Sequence, residues 1–335
     1  MNSIVASIGL VTMLFSCSAI DDDLSDCDKE EQFQMEYQLR LVTNMTTELT
    51  TQLTTTAETK VASALQTHLK DIFSDFAHDV DLSFYDTEGD LARLQHDRHI
   101  MDANQTTYDL TLPMHQYLHL AVANVVNNVE VALVDDDNSP TAALRQRSGT
   151  TIASHTTGLF TARQPMEVLS DVDQTFNVRL YMANSAASLV IDPKRQSYTD
   201  LKVYATGFAS DFLISDSVYV FPDTPPLVKA EQVATGNDLL CFCSVNFPSR
   251  DAAPATARRH AGAVAPLWQF KVYLTKPDGT VTETILDINE PLKAGDLKVI
   301  KGELDGDGAV RPTGSTVGVS VTLDWKNGGE YDTPL

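Results

Sequence analysis

The sequence predicts an all-β protein with one short helix, arranged as two β-sandwich domains in tandem. Three observations carry that expectation. Apolar and polar residues alternate in many short runs, as in Val80-Asp81-Leu82-Ser83-Phe84 and Val317-Gly318-Val319-Ser320-Val321, which is the period of a strand with one buried face. Turn-forming clusters such as Asp135-Asp136-Asp137-Asn138-Ser139-Pro140 and Lys276-Pro277-Asp278-Gly279 separate those runs. The chain has 335 residues, 43% of them hydrophobic, and at roughly 100–200 residues per domain that length fits two cores.

Taken in order, residues 1–16 read as an export signal and residues 17–34 as an acidic tether. The first domain is expected over 35–160. Tyr37, Leu39 and Leu41 alternate with Gln38 and Arg40 and predict its first strand. Residues 43–59 are rich in Thr, and Val61, Leu65 and Leu69 recur every four residues, so a helix is expected from about Val61 to Phe76, lying against a sheet. Strands follow over Val80–Tyr85, Tyr108–Leu112, Tyr117–Val126 and Val129–Val134. Residues 138–165 are weaker in pattern, which places the domain boundary near 160. The second domain, 161–335, begins another β series at Phe176–Met182. Residues 222–266 look irregular apart from Leu239-Leu240-Cys241-Phe242-Cys243. Phe270–Leu274 and Val281–Ile288 form a hairpin about the Lys276–Gly279 turn. Val317, Val319, Val321, Leu323 and Trp325 alternate with polar or small residues in the last strand.

The N-terminus carries the sharpest functional signal. An apolar run from Ile4 to Phe15, interrupted only by Ser7, Gly9 and Thr12, leads into Ser16-Cys17. It is shorter than the ~20 residues that span a bilayer and has the length of a signal h-region. Cys17 is therefore expected to become a lipidated N-terminus, with acyl chains such as palmitate holding the chain to a membrane. A plain signal peptide or a buried strand, with Cys17 incidental, is the alternative. Asp21, Asp22 and Asp23 follow directly. They read as a tract that sorts a lipoprotein to the outer-membrane surface, or simply as a solvated linker.

The net charge is −22. Phosphate backbones need clustered Lys and Arg, so nucleic acid is excluded as a partner, and adsorption to anionic lipid is disfavoured. Catalytic signatures are missing: the chain has no P-loop, GxGxxG, GxSxG or HExxH. His115 and His119 would share the face of a strand at more than about 12 Å, too far for one metal ion. Cys241 and Cys243 share a strand face and read as small core residues rather than as soft-metal ligands. Glu303-Leu304-Asp305-Gly306-Asp307-Gly308 fails the EF-hand spacing and reads as an acidic turn. No enzyme activity, cofactor or metal site is expected. If Cys17 is lipidated, Cys27, Cys241 and Cys243 remain, an odd number whose pairing the sequence leaves open.

The stretch Cys17-Ser18-Ala19-Ile20-Asp21-Asp22-Asp23-Leu24-Ser25-Asp26-Cys27 resembles the mature start of FimB-type fimbrial anchor lipoproteins. Val80–Gly89 is similar to that family's strand running into an acidic, Gly-containing turn. Val319–Trp325, with Gly328 and Gly329 after it, is similar to the family's ending. The resemblance implies two tandem transthyretin-like Greek-key sandwiches, no catalysis, and a place at the base of type V fimbriae, fixing them to the outer membrane and limiting their length. It implies fimbrial structural subunits as partners, joined by strand exchange. The strand-exchange elements would be Tyr37, Leu39 and Leu41 near the N-terminus, and Val319, Val321, Leu323 and Trp325 near the C-terminus. Lipid on Cys17 would keep the N-terminal strand in its own groove, so that the fibre ends there. The alternative is a surface lipoprotein that binds a glycan or host ligand through a sandwich face. Only two Trp, Trp268 and Trp325, are present for such a platform.

Overall fold

The alternating runs become strands in the computed structural model, which describes residues 32–42, 58–73, 78–100, 107–169, 174–235, 239–252, 265–313 and 317–326. Four sheets form. The first runs β3 (Arg93–Ile100), β2 (Asp79–Asp86), β5 (Gln116–Ala123), β9 (Phe160–Glu167), β10 (Thr175–Met182), β1 (Gln32–Val42) and β4 (Thr107–Pro113). The second runs β14 (Val218–Val220), β13 (Asp211–Leu213), β7 (Ser139–Gln146) and β6 (Val131–Asp136). The third runs β16 (Glu231–Thr235), β17 (Leu240–Asn246), β11 (Ser185–Asp192), β20 (Leu297–Leu304) and β21 (Val310–Pro312). The fourth runs β22 (Val317–Lys326), β19 (Thr280–Ile288), β18 (Trp268–Thr275), β12 (Asp200–Thr206), β15 (Leu227–Lys229) and β8 (Thr151–Ala153). The one helix among the described residues, α1 (Glu58–Ile72), starts three residues earlier than the spacing suggested. The class is the expected one, all-β with a short helix.

Burial shows how the sheets stack. Tyr85, Leu120 and Val122 of the seven-stranded sheet share a core with Leu144 and Phe212 of the four-stranded sheet. The opposite face of the seven-stranded sheet, through Val80, Leu82, Phe84 and Leu180, packs with Val61, Leu65 and Leu69 of α1 and with Cys241, Cys243 and Val245 of β17. The other face of the five-stranded sheet, through Leu189, Ile191 and Phe242, packs with Trp268, Phe270 and Val272 of the six-stranded sheet. Two sandwiches therefore share a middle core, with one face of α1 packed against it.

The expected boundary near residue 160 is corrected by this topology. β9, all but its first residue, and the whole of β10 fall in the expected second domain yet are hydrogen-bonded into the seven-stranded sheet. The chain crosses between sandwiches at Ala183-Asn184. Asn184 is fully buried there, its Oδ1 accepting the Leu159 N–H at 3.2 Å and its Nδ2 donating to the Thr157 carbonyl at 3.0 Å, so the crossing keeps no unpaired amide. In the other direction β13 and β14, from the C-terminal half, complete the sheet of β6 and β7. Residues 222–266, expected to be irregular apart from Leu239–Cys243, also supply β15 and β16, and the excepted run becomes β17. The first strand also begins at Gln32, within the expected tether.

Buried polar groups account for the rest of the alternation. Asp81 and Ser83 stand between apolar residues of β2 yet are themselves buried. Asp81 accepts from His96 Nε2 and Arg98 Nε, both at 2.9 Å, and Ser83 from Arg93. The edge strand β3 thus carries its charges inward over β2, one way of blunting an edge.

Candidate assembly interface

The terminal strands occupy unlike places. β1 lies inside its sheet, parallel to β10 from Glu36↔Thr175 to Val42↔Tyr181 and antiparallel to β4 from Gln32↔Pro113 to Gln38↔Thr107. β4 has no other partner strand among the described residues. The N-terminal strand is therefore the sole attachment of β4 to the sheet and covers the whole outer edge of β10. Leu39 stands in register with Val178 and Leu41 with Leu180, both of which are buried in the middle core. Tyr37 stands between Phe176 and Tyr108. Taking β1 away would bare a row of main-chain groups on β10 and leave β4 unheld, a costly opening unless another strand fills it.

β22 sits at the rim instead. It pairs with β19 alone, with Val319↔Leu286, Val321↔Thr284 and Trp325↔Val281 in register. Leu323 and Asp324 together take the place opposite Thr282, a bulge that twists the end of the strand. Other edge strands are short, β8, β14 and β21 having three residues each, or charged, as in β3. At ten residues β22 is the longest open edge, and such an edge is a template for another strand.

Cys17, Asp21, Asp22, Asp23 and Cys27 lie outside the described residues. Cys241 and Cys243 are free thiols buried on one face of β17. Burial pushes the Cys241 thiol up to about 11, against a hydrogen bond with Ser188, and raises that of Cys243 as well. His115 and His119 do not share a strand face. His115 precedes β5, with its Nδ1 3.6 Å from Asp86 Oδ1 and 3.4 Å from Glu88 Oε2. His119 is wholly buried, stacked at 4.3 Å on Phe84, with Nδ1 bonded to the Ser83 carbonyl. The acidic segment 303–308 ends in a turn closed by Asp305, whose carboxylate accepts from Asp307 N, Ala309 N and Arg311 Nε. Burial opposes its ionisation, but those donors hold the carboxyl below its usual range.

Sequence reasoning missed the strand pairing that matters most, the parallel junction of β1 with β10. Periodicity reports which face of a strand is buried, not the direction of its neighbour.

No protein-family model and no curated protein matches the sequence. Solved structures do match its fold. A candidate adhesin from Bacteroides thetaiotaomicron superposes with a TM-score of 0.52 at 9% identity, over 88% of this chain and 98% of its own. A candidate adhesin from Bacteroides ovatus gives 0.50 at 13% identity, over 91% and 100%. The fimbrial anchor protein Mfa2 from Porphyromonas gingivalis is more distant, with 0.47 at 10% identity over 87% and 99%, too loose a match to bear on role. At these identities the likeness is one of architecture: the chain has the β-sandwich fold of the two Bacteroides candidate adhesins over nearly its whole length.

Proposed function

We propose that this chain is a non-enzymatic fimbrial anchor and assembly subunit, lipidated at Cys17, that attaches fimbriae to the outer membrane surface and limits their length. The observation that carries the reading is β1, an N-terminal strand seated between β10 and β4 and holding β4 in place. A chain whose own strand stays in that groove offers no vacancy there to an incoming subunit, so growth stops. The open edge of β22 supplies the other junction, where main-chain hydrogen bonds with a fimbrial structural subunit give affinity and alternate side chains give fit. The fold shared with candidate adhesins agrees with a place on the cell surface. A glycan-binding role is less well supported. Trp268, one of the two Trp, is 1% exposed.

Electron microscopy of cells carrying Cys17→Ala beside the parent tests the proposal. Long fibres shed into the medium are expected from the variant. Attached fibres of normal length would overturn the anchor role and favour a ligand-binding lipoprotein.

A further inference from the structure

The sandwich of the seven- and four-stranded sheets is incomplete on one side. β9 and β10 pair only at Thr161↔Tyr181 and Phe160↔Met182, and beyond those residues their ladder stops. A recess of about 770 Å³ lies at this split, beside the three-residue edge strand β14. Phe212, Ile214 and Tyr219 form its apolar wall, while Arg163, Asn177 and Arg179 supply its polar side. Tyr219 is fixed there by its hydroxyl, which donates to the Ala183 carbonyl at 2.7 Å. Arg163 is braced by donating to the Ser215 carbonyl on the β13–β14 turn.

Three features of the recess point to one kind of occupant. Asn177, Arg179 and Tyr181 of β10 are all exposed, Tyr181 at 55%, because the four-stranded sheet ends at β14 and does not reach over them. β14 has a partner on one side only, and its Val218 and Val220 are 50% and 39% exposed. The recess also has two arginines and no carboxylate among its described lining residues, in a chain of net charge −22. Asp216, on the neighbouring turn, is outside the lining, and Asp211 is paired with Arg145.

We propose that this recess binds an extended, carboxylate-rich segment of a partner protein, which adds to β14 as a fifth strand of the four-stranded sheet. Main-chain bonds to the β14 edge hold such a segment in line. Its carboxylates meet Arg163 and Arg179, the geometry in which Arg forms its strongest pairs. Its added width covers the bare face of β10 and Tyr181.

Fluorescence anisotropy with labelled peptides of about ten residues, the length of a long strand, tests this on the full chain. A peptide alternating Asp and Val is expected to bind, and one alternating Lys and Val is not. Arg179→Glu and the milder Arg179→Gln lie on an exposed face; an unchanged melting curve shows that each folds, and the Glu variant is expected to weaken binding by at least about tenfold. Raising salt from about 50 to about 300 mM is expected to weaken it as well. The Asp/Val peptide methylated on alternate main-chain nitrogens keeps its charges and is expected to lose binding. Failure of the Asp/Val peptide to bind, equal binding by the Lys/Val or methylated peptide, or indifference to Arg179→Glu overturns the proposal. Equal competition by polygalacturonate, carboxylate for carboxylate, also overturns it in favour of an acidic glycan.

Discussion

His155 sets an acid limit on this fold. It lies in the connection before β9, fully buried, with its ring edge-on to Phe247 at 5.1 Å, and neither ring nitrogen has a hydrogen-bond partner. Burial lowers its pKa from the ordinary 6.5 to about 4. The unfolded chain therefore takes up the proton first. The contribution to stability is full above the unfolded value of 6.5 and is lost as pH falls toward 4. At ~1.4 kcal/mol per unit, moving from about pH 7.5 to about pH 4.5 costs about 2.5 kcal/mol at this one residue. His155→Phe keeps the aromatic contact and removes the titration. Urea unfolding of parent and variant at both pH values isolates the effect, since every titrating group other than His155 is the same in the two proteins. The variant is expected to match or exceed the parent at about pH 7.5, because an unpartnered buried polar group is removed, and to lose about 2.5 kcal/mol less on acidification. Equal losses in parent and variant would refute the argument from burial.

Two further outcomes follow from local geometry. Gly207 has φ +101°, and an added Cβ would lie 2.7 Å from Trp268 Cα and 2.8 Å from the Leu267 carbonyl oxygen. Backbone cannot yield as a side chain can, so Gly207→Ala is expected to cost at least roughly 1–3 kcal/mol by urea midpoint, and a neutral result would show that the turn relaxes. Cys241 and Cys243, buried with raised pKa values, are expected to resist iodoacetamide in the folded protein and to react fully in denaturant, read by peptide mass. Labelling at comparable rates in both conditions would place the thiols within reach of solvent.

Much of the fold is legible where one face of a strand is wet. β18 and β19 bury every second residue, near enough, and their hairpin turn announces itself in Pro277-Asp278-Gly279. The helix is legible for the same reason, since Val61, Leu65 and Leu69 all lie on its buried face. The pattern fails where both faces are covered. β17 lies between two cores, so Leu240-Cys241-Phe242-Cys243 is buried without a break, and a continuous apolar run has no period to read. The domain boundary is not legible near 160, because β9 and β10 owe their sheet to partners far away in sequence, β5 and β1. Of the candidate interface, the alternation at Tyr37–Leu41 and Val319–Trp325 is visible in the sequence. The seat of β1 between two strands, and the solitary edge of β22, are properties of pairing alone.

The direction of β1 has a mechanical consequence. Because it lies along β10 from Glu36 to Val42, a pull applied at Gln32 along the strand axis slides β1 against β10, and β4, held by β1, moves with it. The rungs of the β1–β10 ladder then bear the tension together, as in a lap joint, whereas a sideways pull would part them one by one like a zipper. A molecule tethered through its N-terminal end is, in this arrangement, loaded along its stronger axis.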